Sequence, residues 1–307
     1  MTRRIAALDL GTNTFHLIIA DVSNSKIQRI VAADQKHVKL GEGGINTGTI
    51  TADAFNRGLD AIADFSIAIQ ENNVDTVHAV GTAALRSASN GLDFLQNVKE
   101  KTGIQIEIIT GDREASLIYQ GVKEAIDFTE NSLIMDIGGG SVEFIFANKK
   151  GIQWKKSYPI GAAKLMATFH RSDPISNEDI QAILKHLDEM LSDLLRFSRM
   201  FKPKILIGSA GAFETFAALC QLKFNGNPSE ITRSFLFNIS HLELILSEIF
   251  KSNHQERKDN PAIISVRTDM IVTASVLSQY IISKLEIESV LLSAYALKEG
   301  LLLDQTY

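Results

Sequence analysis

Two short stretches place acidic, hydroxyl and glycine residues where they could do chemistry. In "LDLGTNTFHL", residues 8–17, an apolar run ends on Asp9 and is followed by Gly11, Thr12, Asn13 and Thr14. In "MDIGGGSVE", residues 135–143, an apolar run ends on Asp136 and is followed by Gly138, Gly139, Gly140 and Ser141. Gly inside a strand pattern weakens the strand, so it needs a reason such as a tight turn or a close backbone approach. A turn of this kind presents backbone N–H groups and hydroxyls to phosphate oxygens, as a nest does. The three glycines allow positive φ and let the backbone come near an anion. The Asp at each strand end can hold a cation or a water. Glu143 alternates in strand register with Ser141, so both face one side. A plain β-hairpin explains the first stretch equally well, because Asp-x-Gly-x-Asn is also good turn chemistry. The pair is more specific than either alone, and it points to a phosphate cleft between two domains.

Four further segments carry candidate side chains. "GTAALRSASN", residues 81–90, ends a strand in Gly-Thr and carries Arg86 on a helix-like turn; the plain alternative is a surface arginine. "ITGDREASLIYQG", residues 109–121, puts Glu114 in the first turn of a helix, where the dipole alone favours a carboxylate. Arg113 beside it is expected to be exposed. "LIGSAGAFETFA", residues 206–217, is a strand, a Gly-Ser-Ala-Gly turn holding Ser209, and a helix whose N-terminus suits an anion or nucleotide. "SVRTDMIVTA", residues 265–274, places Arg267 at the entry to a buried helix.

Around these residues the hydrophobic pattern gives the elements that position them. Strands are expected at 5–10, 15–22, 27–40, 76–81 and 105–109, with helices at 52–72 and 113–126. Residues 127–132 are polar and suit a link between domains. The pattern then restarts, with strands at 133–137, 142–147 and 153–159. It repeats the N-terminal order of apolar run, Asp-hydrophobe-Gly, hydroxyl and apolar run. We read this as a duplicated β-β-β-α unit. Helices follow at 177–200 and 242–250, with capping boxes expected from Ser176 with Asp179 and Ser240 with Glu243. Then come a strand at 204–208, a buried helix at 268–284, a strand at 288–293 and a last helix near 295–303.

The bulk composition bounds the function. A chain of 307 residues is long for one core, and two domains are the expectation. Net charge is −5, so a polyanionic ligand must be met by a local cluster of donors rather than by bulk attraction. The single cysteine, Cys220, excludes an internal disulfide framework and a Cys-rich zinc site, and fits a reducing cytoplasm. The N-terminus has no apolar run of signal-peptide length, and no stretch approaches the roughly 18 uncharged apolar residues of a membrane span. The seven histidines are scattered, without the spacing of a transition-metal site. Gly-x-Ser-x-Gly and Gly-x4-Gly-Lys-Ser/Thr are both absent, which excludes a Ser-His-Asp hydrolase elbow and a Walker-type NTPase.

Taken together, the motifs resemble the exopolyphosphatase / guanosine pentaphosphate phosphohydrolase (Ppx/GppA) family, within the actin, sugar kinase and Hsp70 superfamily. The family's D-x-G-S-N-S opening is matched by Asp9, Gly11, Thr12, Asn13 and Thr14. Its G-T-x-x-x-R-x-A-x-N segment is matched by Gly81, Thr82, Arg86, Ala88 and Asn90. Its I-S-G-x-E-E-A segment is matched by Ile109, Thr110, Gly111, Glu114 and Ala115, and its D-I-G-G-G-S-x-E by Asp136 to Glu143 throughout. Its G-x-S-G-T is matched loosely by Gly208 to Ala212. Three positions depart: Arg113 stands where the first Glu of a pair is usual, Ala212 replaces a Thr, and S-x-x-G-L-R-E-G reads Ser293-Ala-Tyr-Ala296-Leu-Lys298-Glu-Gly300.

The resemblance implies an α/β fold of two actin-like (ribonuclease H-like) domains, each with a mixed five-stranded sheet flanked by helices and the active site in the cleft between them. The expected division is 1–126, joined by a C-terminal helix at 296–307, and 127–295. It implies Mg²⁺-dependent removal of terminal phosphate from inorganic polyphosphate or guanosine pentaphosphate. Glu114 would be the base, with Glu143 and Arg86 as catalytic partners. Gly11–Thr14, Gly138–Ser141, Ser209 and Arg267 would bind phosphate, and Asp136, with Asp9, the metal. The match is to the short two-domain form, with no role for a nucleic acid duplex or a membrane; a homodimer stays open. A kinase or ATPase of the same superfold, or an idle phosphate or alarmone sensor, are the rival classes. A kinase would bind adenosine at 208–214, and Arg113 with the altered C-terminal signature would suit a sensor.

Overall fold

The computed structural model describes residues 2–226 and 229–304. The chain divides into two compact units, Met1–Glu124 with Tyr295–Tyr307, and Ala125–Ala294. The first division falls two residues before the sequence-based boundary.

In the first unit, β1 (Arg3–Leu10), β2 (Phe15–Ser23) and β3 (Lys26–Lys36) form an antiparallel meander. The chain then crosses through α1 (Ala52–Glu71) to β4 (Thr76–Gly81), which lies parallel to β1. Thr51 caps α1, its hydroxyl accepting the Ala54 N–H at 3.4 Å, and the helix buries Leu59, Ile62, Phe65 and Ile69 at helical spacing. After α2 (Ala83–Ser87) and α3 (Gly91–Thr102) come β5 (Glu107–Ile108), parallel to β4, and α4 (Gly111–Ala125). The sheet order is β3-β2-β1-β4-β5. Leu8, Leu10 and Leu17 pack with Phe15, Phe65 and Phe94 to form the core on one sheet face.

The second unit repeats this plan. A meander of β6 (Ser132–Ile137), β7 (Val142–Asn148) and β8 (Gly151–Tyr158) is followed by α5 (Ala162–Phe169), α6 (Asn177–Met190) and α7 (Ser192–Phe201). β9 (Ile205–Ser209) then lies parallel to β6, as β4 does to β1. α8 (Ala210–Asn225), β10 (Ser234–Leu236), α9 (Ile239–Lys251), α10 (His254–Asp259), a 3₁₀ turn at Ser265–Arg267, α11 (Met270–Lys284) and β11 (Ser289–Ser293) complete it. The order is β8-β7-β6-β9-β11-β10. The chain ends in the first unit with α12 (Leu297–Leu302).

Several sequence expectations are corrected here. The second sheet has six strands, not five, because the three-residue β10 pairs antiparallel with β11; so short a strand carries no readable period. The single helix expected at 177–200 is two, α6 and α7, divided at Leu191. The strand expected at 27–40 stops at Lys36, and that at 105–109 contracts to Glu107–Ile108. The last helix is Leu297–Leu302, and residues 305–307 of the expected span lie outside the described residues. Ser176 does cap α6, accepting the Asp179 N–H at 3.1 Å, but the reciprocal half of the box does not form: the Ser176 N–H donates to the Ser172 hydroxyl and Asp179 Oδ2 accepts from the Arg171 and Ser172 N–H groups. Ser240 does not cap α9: Asn238, two residues earlier, accepts the His241 N–H at 3.1 Å. Among the described residues no helix is long and apolar enough to cross a membrane.

Candidate functional site

The two Asp-Gly stretches form the same turn. In the first unit the Gly11 N–H donates to the Thr14 carbonyl at 3.2 Å, and in the second the Gly138 N–H donates to the Ser141 carbonyl at 3.0 Å. A Cβ on Gly11 or Gly138 would lie 2.9 Å from that same carbonyl oxygen. At Gly11 and Gly138 space, not the expected positive φ, is what demands glycine. Among the described residues the positive-φ glycines are Gly43, Gly48, Gly103, Gly151 and Gly226, all outside these turns.

The segment after the third strand of each meander grips its turn from behind. In the first unit the Lys39 and Gly41 N–H groups donate to the Asn13 and Thr12 carbonyls at 2.8 and 3.0 Å. In the second, the Ala162 and Ala163 N–H groups at the start of α5 donate to the Gly138 and Gly139 carbonyls at 2.9 and 3.0 Å, and the Gly161 N–H to Gly140 at 3.3 Å. In a trans peptide the C=O and the following N–H point opposite ways. The N–H groups of Gly139, Gly140 and Ser141 therefore face away from α5, as a row of donors suited to an anion. Gly161 lies so close to the 139–140 backbone that any side chain there would collide with it.

Sheet register places four polar side chains in one row across the second unit. Ser157, Glu143, Asp136 and Ser209 are successive cross-strand partners on β8, β7, β6 and β9. Directly opposed residues point to the same face. The Ser209 hydroxyl donates to Asp136 Oδ2 at 2.6 Å, and the Ser157 hydroxyl to Glu143 Oε1 at 2.6 Å. Asp136, Glu143 and Ser209 are buried. The equivalent row in the first unit is Gln35, His16, Asp9 and Val80. Sequence reasoning singled out Asp9 but not His16 or Ser157. Aligning the two meanders on their aspartates would have put His16 in register with Glu143.

Arg86 and Glu114, which the sequence leaves as separate motifs, meet. Glu114, buried in the first turn of α4, accepts from Arg86 Nη1 at 3.0 Å, and the same nitrogen donates to the Ile109 carbonyl at 2.9 Å. Thr110, the residue before α4, accepts the Arg113 N–H on its hydroxyl at 3.2 Å. Leu10 pairs with Gly81, and Gly81 with Ile108. The Gly11 turn, Arg86 and Glu114 thus all follow the C-terminal ends of parallel strands, where open α/β sheets place ligands. In the second unit the Gly138 turn and Ser209 lie at the C-terminal ends of the parallel β6 and β9. Arg113 corrects an expectation: it is half-buried rather than exposed, and its guanidinium pairs with buried Asp304.

Beyond β9 the chain turns sharply. Ala210 has φ of 63°, a left-handed conformation rare for a residue with a side chain. The Arg267 guanidinium lies against Gly211, donating to Glu214 Oε2 at 2.9 Å and Thr215 Oγ1 at 3.2 Å. Among the described residues no group of three or more His, Cys, Asp or Glu side chains could hold a metal ion by itself. The cross-strand carboxylates Asp136 and Glu143 do offer the hard oxygen donors that suit Mg²⁺, which takes one or two carboxylates and completes its shell with substrate oxygens and water.

Comparison with known proteins gives a consistent picture. Residues 18–306 match the Ppx/GppA phosphatase family. A crystal structure of an exopolyphosphatase from Cytophaga hutchinsonii superposes with a TM-score of 0.94 at 36% identity, covering 98% of this chain and 96% of that one. A putative exopolyphosphatase of Haemophilus influenzae is 28% identical over 98% of this chain and 90% of its own length. A guanosine-5'-triphosphate,3'-diphosphate pyrophosphatase of Aliivibrio fischeri is 27% identical over 98% of this chain, which spans only 59% of that protein.

Proposed function

Because the chain belongs to the Ppx/GppA phosphatase family, we propose that it hydrolyses the terminal phosphoanhydride of inorganic polyphosphate, with guanosine pentaphosphate as the alternative substrate. The observation that carries this reading is the Arg86–Glu114 pair, its carboxylate buried and its guanidinium partly exposed, at the same end of the sheet as the Gly11 turn, where open α/β folds place ligands. The likeness to an exopolyphosphatase along almost the whole of both chains favours polyphosphate.

Hydrolysis of a phosphoanhydride needs charge neutralised on the terminal phosphate, a positioned water and a stabilised leaving phosphate. In this reading the N–H groups of the two glycine turns, with Thr12, Thr14 and Ser141, bind phosphate oxygens. Arg86 adds a guanidinium fork that suits phosphate. Glu114 takes the proton of the attacking water. Asp136 would hold Mg²⁺, with Glu143 orienting water beside it and Asp9 as the corresponding carboxylate of the first unit. When bound, the metal supplies positive charge against the phosphoryl oxygens. Buried Cys220 is compatible with a reducing cytoplasm, the compartment we propose.

The test is phosphate release from polyphosphate of several chain lengths and from guanosine pentaphosphate, with and without Mg²⁺. Glu114→Gln is expected to keep the fold and substrate binding while turnover falls by about 10²–10⁴-fold. Turnover within a few-fold of the parent would remove Glu114 from the role of base. Binding without phosphate release in the parent would favour the sensor.

A further inference from the structure

Arg113 occupies a position where a second acidic residue is usual, directly before Glu114, and its guanidinium pairs with a residue 191 positions away. That partner, Asp304, lies just beyond α12, and its side chain is only 2% exposed. α12 and α4 cross backbone to backbone. A Cβ on Gly300 would collide with the Leu117 carbonyl and stand 3.1 Å from the Gly121 nitrogen, while one on Gly121 would collide with the Ala296 carbonyl. α12 is capped at its start and held to β4 near its end. At its start Glu299 accepts the Ala296 N–H at 2.8 Å, and near its end the Leu301 carbonyl lies 3.0 Å from His78 Nδ1. Residues 296–304 therefore form a strut along α4, with Asp304 at the helix's first turn. We propose that Asp304 is a positioning residue: by binding Arg113 it fixes the first turn of α4 and, with it, the Glu114 carboxylate.

The inference rests on the reading of Glu114 as the base. Arg86 holds that carboxylate from the α2 side, and Asp304 holds the backbone that carries it. A general base must stay within hydrogen-bond reach of the proton it takes, so a small displacement of this turn lowers turnover without removing any group that touches phosphate.

The experiment is a double-mutant cycle in the full chain: parent, Asp304→Asn, Glu114→Gln and both together, with kcat on polyphosphate and thermal unfolding measured for each. A residue acting through Glu114 loses its influence once that carboxylate is gone. Asp304→Asn is expected to lower kcat about tenfold in the parent and less than about twofold in the Glu114→Gln background. A residue that merely supports the fold would cost the same factor in both. Arg113→Gln with Asp304→Asn neutralises both members of the pair together, so neither is left charged without the other, and it too is expected to lose turnover. An equal loss in both backgrounds, or parental turnover in the neutral double variant, would overturn the proposal and leave the base intact. Parental turnover in Glu114→Gln alone would overturn the base itself and the positioning role with it.

Discussion

Glu114 is a carboxylate taken out of water beside a guanidinium that is still about a quarter exposed, with Arg86 at 28% and Glu114 at 8% by side chain. Such a pair adds little net stability when intact but is costly to break from one side. Arg86→Met is therefore expected to destabilise the first unit by about 1–3 kcal/mol, below the usual range for a fully buried pair because Arg86 is partly solvated. Adding Glu114→Gln should recover most of that stability and none of the turnover; denaturant titration and phosphate release measured on the same samples separate the two effects. At this scale the sequence was readable as residue types: Arg86, Glu114, Asp9 and Asp136 all stood out. Their pairings were not, because Arg86 and Glu114 are 28 positions apart and meet only once β4 and β5 lie side by side. The same holds for the departures from the family pattern. Ala296 stands where glycine is usual, and its φ of −146° asks for no glycine.

At the scale of elements, the grip on the glycine turn depends on which segment follows the third strand, and a one-dimensional pattern does not show that. The strands themselves, and the restart of the pattern near residue 132, were legible because alternation and turn residues are local signals. The row from Ser157 to Ser209 was not, since it needs the sheet order β8-β7-β6-β9. Two changes probe these elements. Ala210→Gly removes the side-chain cost of a left-handed φ, roughly 1 kcal/mol, at the turn that carries Ser209 into α8. The expected result is a higher unfolding temperature; a lower one would mean that the methyl group packs for more than the strain costs. His170, the residue that ends α5, is the second. Burial, and then Arg257, hold its pKa below the ordinary histidine value, while Asp173, Asp269 and Asp179 oppose them. The folded state therefore binds fewer protons than the unfolded one as pH falls below about 6.5, and stability is lost there. His170→Gln should flatten that acid-side slope in unfolding experiments between pH 7 and 5, and an unchanged slope would assign it to other groups.

On the scale of the whole molecule, the duplication read from two Asp-Gly turns is matched by topology: in each unit a three-stranded meander leads through helix to a strand parallel to the first. The units differ in how the chain completes them. The second is one continuous stretch, whereas the first needs residues from both ends of the sequence. Leu297, Gly300, Leu301 and Leu302 are buried, and α12 packs on α4 through Gly300 and Gly121. Burying Leu297, Leu301 and Leu302 is worth about 1.5–3 kcal/mol each, so their sum rivals the roughly 5–15 kcal/mol that holds a typical domain together. A chain ending at Ala294 is therefore expected to lose the cooperative transition of the first unit while the second still unfolds as one. Hydrogen exchange would show this residue by residue, with amides in β1, β2 and β4 losing protection and those in β6, β7 and β9 keeping theirs. Adding residues 295–307 back as a separate peptide should restore protection in proportion to its occupancy, because a segment that binds only the folded form stabilises it by mass action. If β1 and β4 stayed as protected in the shortened chain as in the parent, the first unit would be complete without α12. The strut along α4 would then be too weak to govern Glu114.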